Sequence, residues 1–191
     1  MKKLLKIALL VSVLLPFMVH SETSSDEMLR EIQERANKVK QFKELLGNPD
    51  QTVRVSALDV MLKSDDQVMK EIAFNLGFAS ADDTMRAIAL KNKILYMKYL
   101  NFDLTLTDKP NKGEKKSILN FYRVNVQEYN VNSGAFNFGK YGHSRGQVSG
   151  TGLNLQSNSG CNANTILSEG AMLKGSLKCP QGNYLMELQL Q

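Results

Sequence analysis

His143 and Ser144 stand side by side in KYGHSRG (140–146), between Tyr141 and Arg145, and histidine with serine is a pair from which hydrolases build an activated nucleophile. That chemistry needs the imidazole to meet the hydroxyl through space and a carboxylate to orient the ring. Adjacent residues in a strand point to opposite faces, so nearness in sequence gives His143 no claim on Ser144. A loop or rim role suits the cluster better. Tyr141, His143 and Arg145 are therefore candidate contacts for a partner, and no residue is assigned a catalytic role.

Other chemistries fare worse. His143 is the one histidine downstream of the N-terminal leader, too few for a metal site, and neither metal nor cofactor is expected. Glycines at 139, 142, 146, 150 and 152 lack the Gly-Lys-Ser/Thr ending of a phosphate loop, so they signal turns and bulges. The six acidic residues after Leu95 show no spacing that singles out a glycosidase pair. Asp65-Asp66 and Asp82-Asp83 fall where helices should start and read as caps. Met69 and Met85 read as core filling, not copper ligands. Phe136, Phe138 and Tyr141 would be the platform of a carbohydrate-binding module, against which the absence of tryptophan counts. The leading alternative is an envelope-acting hydrolase of peptidoglycan or polysaccharide, working through His143.

The elements that must position these residues begin after a leader. Residues 1–21 carry Lys2, Lys3 and Lys6 ahead of an apolar run, and Val19 and Ser21 suit cleavage after Ser21: the layout of a secretory signal peptide. Without those three lysines, 21 basic residues face 19 acidic ones, a net charge of +2, which gives nucleic-acid binding little support. No later stretch is apolar enough for stable membrane insertion once the leader is gone, and the protein is expected in the periplasm or outside the cell. Cys161 and Cys179, the only cysteines, then read as a disulfide.

Between Asn48 and Leu95 the sequence repeats with an offset of 16. Val53, Met69 and Met85 correspond, as do Arg54, Lys70 and Arg86, Ala57, Ala73 and Ala89, and Leu58, Phe74 and Leu90. Asp50, Asp66 and Asp82 stand ahead of each unit, preceded by Asn48, Ser64 and Ser80, and Leu62, Phe78 and Ile94 close it. Each unit reads as a capped helix of about three turns whose apolar stripe is buried only by stacking on its neighbours. The Asp50-x-x-Val53-Arg54-x-x-Ala57-Leu58 pattern resembles HEAT-like repeats over roughly residues 48–95. That resemblance implies a stacking and binding scaffold and brings no catalytic residue. A longer helix is expected ahead of it, over Asp26 to Leu46, ending at Gly47.

From Tyr96 the period changes to two. Leu100, Phe102, Leu104 and Leu106 share one face, and further strands are expected near Tyr122, over 134–138 and 151–156, and over 184–190; DKPNKGEKKS (108–117) reads as a hairpin connection. If residues 161–179 form a hairpin about Gly170, opposed positions sum to 340, so Cys161 faces Cys179. Cys161, Ala163, Thr165 and Leu167 then share an apolar face with Leu173, Gly175, Leu177 and Cys179, while Asn162, Asn164, Lys174, Ser176 and Lys178 fall outside, with Ile166 the exception.

The chain thus reads as α+β: a leader (1–21), stacked antiparallel helices (22–95), then an antiparallel β sandwich or small barrel with one disulfide (96–191). The function expected is that of an exported, non-enzymatic binding protein acting on another protein, as an inhibitor, immunity-type factor, adaptor or assembly component.

Overall fold

A computed structural model describes residues 24–107 and 119–191. The leader, its cleavage point and the connection at 108–117 lie outside the described residues. The chain divides at Asn37, with Lys38–Gln191 forming one compact unit.

Helix α1 spans Ser25–Leu46. Its first turns leave Met28, Leu29 and Ile32 exposed; towards its end Val39 and Phe42 pack against the core of the larger unit and Leu46 is buried. Three short helices follow: α2 Gln51–Lys63, α3 Gln67–Ala79 and α4 Asp83–Tyr96. Each starts on the repeated aspartate. Asp50 accepts from the Thr52 amide, Asp66 from those of Val68 and Met69, and Asp82 from that of Thr84. The residue two places earlier completes the turn: Asn48 Oδ1, Ser64 Oγ and Ser80 Oγ accept from the amides of Asp50, Asp66 and Asp82 at 2.9, 3.1 and 3.1 Å. This explains why Asn or Ser recurs there.

The apolar stripes meet in one core. Ala57, Leu58 and Leu62, Ala73, Phe74 and Phe78, and Ala89, Leu90 and Ile94 are all buried, so the three aligned columns of the repeat are its packing surface. Gly77 lets α3 approach α4 closely, since a Cβ there would lie 2.8 Å from that of Ala89. The repeated basic position has three uses. Arg54 donates to Asp82 at 2.7 Å, Lys70 bonds the Tyr96 hydroxyl, and Arg86 donates to the Leu167 carbonyl at 2.8 Å, which ties α4 to the strands.

Eight antiparallel strands make the second half: β1 Tyr99–Leu106, β2 Phe121–Asn125, β3 Ala135–Phe138, β4 Ser144–Ser149, β5 Gly152–Gln156, β6 Asn162–Ser168, β7 Met172–Cys179 and β8 Gly182–Gln189. The sheet order is β2-β1-β8-β7-β6-β5-β4-β3. Just beyond β2, Gln127 pairs with Asn137 of β3 through two backbone bonds of 2.8 Å, so the two ends of the sheet meet at one point and the sheet is nearly a closed barrel. An eight-stranded barrel has an interior that side chains can fill. Here Leu100, Phe102, Leu153, Leu173, Tyr184 and Met186 do so, all at most 1% exposed.

The β6–β7 register is the one read from the cysteines: Asn162 opposes Lys178, Thr165 opposes Gly175 and Ser168 opposes Met172. Cys161 and Cys179 form the disulfide at the end of that ladder, with Cα atoms 4.2 Å apart. Ile166, the exception on the polar face, is 65% exposed. One strand departs from expectation. Of the glycines read as turns and bulges, Gly139, Gly142 and Gly150 lie in the connections on either side of β4, yet β4 runs through Gly146, because the missing side chain gives the opposed Phe136 ring its place: a Cβ would fall 2.1 Å from Phe136 Cζ.

Candidate functional site

The β3–β4 hairpin separates the members of KYGHSRG. Ser144 opens β4 facing inward, 6% exposed; its Oγ accepts from the Asn158 amide at 3.2 Å and lies 3.5 Å from Ser157 Oγ. His143 is exposed, as adjacent positions entering a strand dictate. No Ser144–His143 hydrogen bond is present, and the serine hydroxyl is held in the wall.

Tyr141, 72% exposed, sits in the same turn, its ring centre 6.3 Å from that of His143 and under the Lys140 ammonium, which lies 5.3 Å from it. Tyr141 and His143 are therefore neighbours on a turn. Arg145, pointing outward from β4 between Asn137 of β3 and Gln156 of β5, belongs to a different surface.

Phe136 and Phe138 correct the sequence reading. They are 2% and 3% exposed, inside the barrel, and offer no platform to a sugar. The alternation along β3 decides this: Ala135 and Asn137 take the outward positions. Phe136 instead packs beside Tyr129, ring centres 6.0 Å apart, and burial pushes the Tyr129 phenol up to about 12. Its hydroxyl donates to the Lys91 carbonyl at 3.0 Å, so this tyrosine is a neutral strut between α4 and the segment after β2. Burial also raises Tyr122, more than a hydrogen bond with Ser157 lowers it.

The surface that Arg145 does join is a groove of about 750 Å³ on the outer face of β3 to β6. Opposed outward positions form two rungs across these strands. One runs Asn137, Arg145, Gln156, Asn162; the other runs Ala135, Gln147, Asn154, Asn164. Asn137 donates to Glu128 at 2.6 Å, and Gln147 donates to the carbonyls of Ser133 and Val148 at 2.5 and 3.0 Å. Asn154, Gln156, Asn162 and Asn164 are exposed, and their side-chain amides bond no other described residue. The segment between β2 and β3 supplies Glu128, Asn130 and Ser133 as the groove's wall.

Such a lining can donate and accept hydrogen bonds, and it has one cation and one carboxylate. It contains no nucleophile beside a base and no pair of carboxylates. Sequence reasoning found Arg145 and missed the amides beside it. Their signal was present, since the 340-sum register already placed Asn162 and Asn164 on the outer face; what sequence could not supply was the β4–β5–β6 register that adds Asn154 and Gln156.

Among the described residues no group of three or more His, Cys, Asp or Glu side chains could hold a metal, and no helix is long and apolar enough to cross a membrane. Comparison of the chain with protein-family models, curated proteins and solved structures returned no match.

Proposed function

We propose that this chain is an exported, non-enzymatic binding protein that holds another protein in the groove on the outer face of β3 to β6. One observation carries the reading: the groove is lined by amides that can recognise a ligand, without a nucleophile–base pair that could transform it. Arg145 serves in the groove, and Tyr141 and His143 extend the contact from the β3–β4 turn at its end. The α2–α4 layer, in its resemblance to HEAT-like repeats, is the scaffold that braces the barrel through Arg86 and Tyr129. The disulfide is consistent with an oxidising compartment, and with the leader it supports a periplasmic or extracellular setting.

The test is paired capture from envelope extracts of the native cells, using the mature chain and an Asn154→Lys/Asn164→Lys chain of equal thermal stability. A stoichiometric protein held by the first and lost by the second is expected. A partner held equally by both would move the site elsewhere. Hydrolysis of a peptidoglycan or polysaccharide substrate that disappears in His143→Ala would overturn the reading.

A further inference from the structure

Four amides in the groove stand in a square. Asn154 opposes Asn164 and Gln156 opposes Asn162 across the β5–β6 pair, while Asn154 and Gln156, and likewise Asn162 and Asn164, are two residues apart along their strands. The sides of the square are therefore about 4.8 Å across strands and about 6.8 Å along them. Asparagine is depleted in strands, yet three of the four corners are asparagine, exposed and bonded to nothing else described. Local rules broken without internal compensation are expected at functional or strained sites, and none of the four has a positive φ.

The chemistry of the square is specific. A side-chain amide carries a carbonyl acceptor and an N–H donor on one planar head, the complement of the N–H and C=O of a peptide unit. An extended polypeptide turns the N–H and C=O of one residue towards the same edge, and that pattern recurs every second residue, about 6.8 Å. Outward side chains along β5 and β6 recur at the same interval. A segment laid along these strands with one edge down meets an amide at every repeat, whatever its side chains.

Charge narrows the occupant. The Gln156–Asn162 rung is flanked by Arg145 on β4 and Lys178 on β7, both exposed and with no acidic partner among the described residues. Glu128 is the one carboxylate in the lining, and Asn137 already donates to it. Phe136 is the one aromatic residue in the lining and is 2% exposed, so it offers no open ring face for a sugar to stack on, which favours a polypeptide over a glycan.

We infer that Asn154, Gln156, Asn162 and Asn164 grip an extended segment of the partner by its backbone, with an acidic side chain of that segment set against Arg145 or Lys178. This rests on the binding function proposed above and adds the form and chemistry of what is bound.

The probe is an end-blocked decapeptide of Ser, Ala and Thr with a central Asp, at millimolar concentration, against the ¹⁵N-labelled mature chain. The readout is the side-chain NH₂ signals of the four amides. The expected result is that the parent peptide moves all four, that N-methylation of alternate residues in one register weakens binding at least tenfold, and that methylation in the other register changes it less than about twofold. A chain carrying threonine at all four positions keeps its melting temperature and loses the peptide. Unmoved signals, equal binding of both methylated registers, or movement by a cello- or chito-oligosaccharide in place of the peptide would each overturn the inference. Those results leave the binding function standing as long as a partner is captured that the Asn154→Lys/Asn164→Lys chain loses; that function falls on hydrolysis lost in His143→Ala, so the two failures are distinguishable.

Discussion

Opening the Cys161–Cys179 bond tests how the β6–β7 hairpin is held. The cysteines are 18 residues apart in sequence, and loop-closure entropy for a loop of that length is about 11 cal/mol/K, or about 3 kcal/mol at 25 °C. Little should be lost from the native side. β6 stays paired with β5 and β7 with β8 along their lengths, so the register does not depend on the bond. For a chain of this size each kcal/mol moves the melting temperature by about 2–4 °C, so the expected drop is roughly 6–12 °C. The assay is thermal unfolding by circular dichroism of the oxidised chain, the chain in reductant, and a Cys161→Ala/Cys179→Ser chain, with Ala chosen because Cys161 is 5% exposed on the apolar face. The reduced and substituted chains should melt together and below the oxidised one. Coincidence of all three transitions would refute the reasoning, and so would a loss of cooperative melting, because the bond would then be holding native structure and not restricting the unfolded chain.

Gly146→Ala should destabilise by about 1–3 kcal/mol, since the new methyl overlaps the Phe136 ring, and denaturant titration should show part of the loss recovered when Phe136→Leu is added. Gly77→Ala sets a better helix former against a 2.8 Å approach to Ala89; packing should win, giving a net loss in the same assay that Ala89→Gly relieves. Asp82 is lowered from 3.8 to about 2, first by the Arg54 guanidinium and then by hydrogen bonds from Gln51 and the helix-start amides. A depressed carboxyl contributes stability that is complete above its unfolded value and is lost on acidification, so unfolding followed between pH 4 and pH 2 should show a slope that flattens in Arg54→Met.

Where one residue type has one structural job, the sequence could be read directly. Asp50, Asp66 and Asp82 cap helices because a carboxylate at a helix start has few other uses, and the 16-residue offset follows because three identical jobs recur. The hairpin register was legible because the bond and the alternation of faces constrain the same two strands. β4 was not legible, because Gly146 reads as a turn until Phe136 is known to lie over it, and that contact belongs to the opposed strand. The same blindness displaced the aromatic residues: whether Phe136 faces in or out depends on which neighbour has room for it. The amide square needs the pairing of β5 with both β4 and β6, which no single segment encodes.

Seven of the eight junctions around the barrel are zipped along their strands; the eighth has one backbone bridge, Gln127 to Asn137, with the Asn125 side chain accepting from the Gly139 amide and the Gln127 side chain donating to the Gly139 carbonyl beside it. With two backbone bonds in that bridge against a full ladder elsewhere, amide exchange at these two residues should outpace exchange in the long β7–β8 ladder. Glu128, Asn130 and Ser133, which wall the groove, follow directly on from that bridge, so the junction with the shortest ladder is also the one that carries the groove's edge.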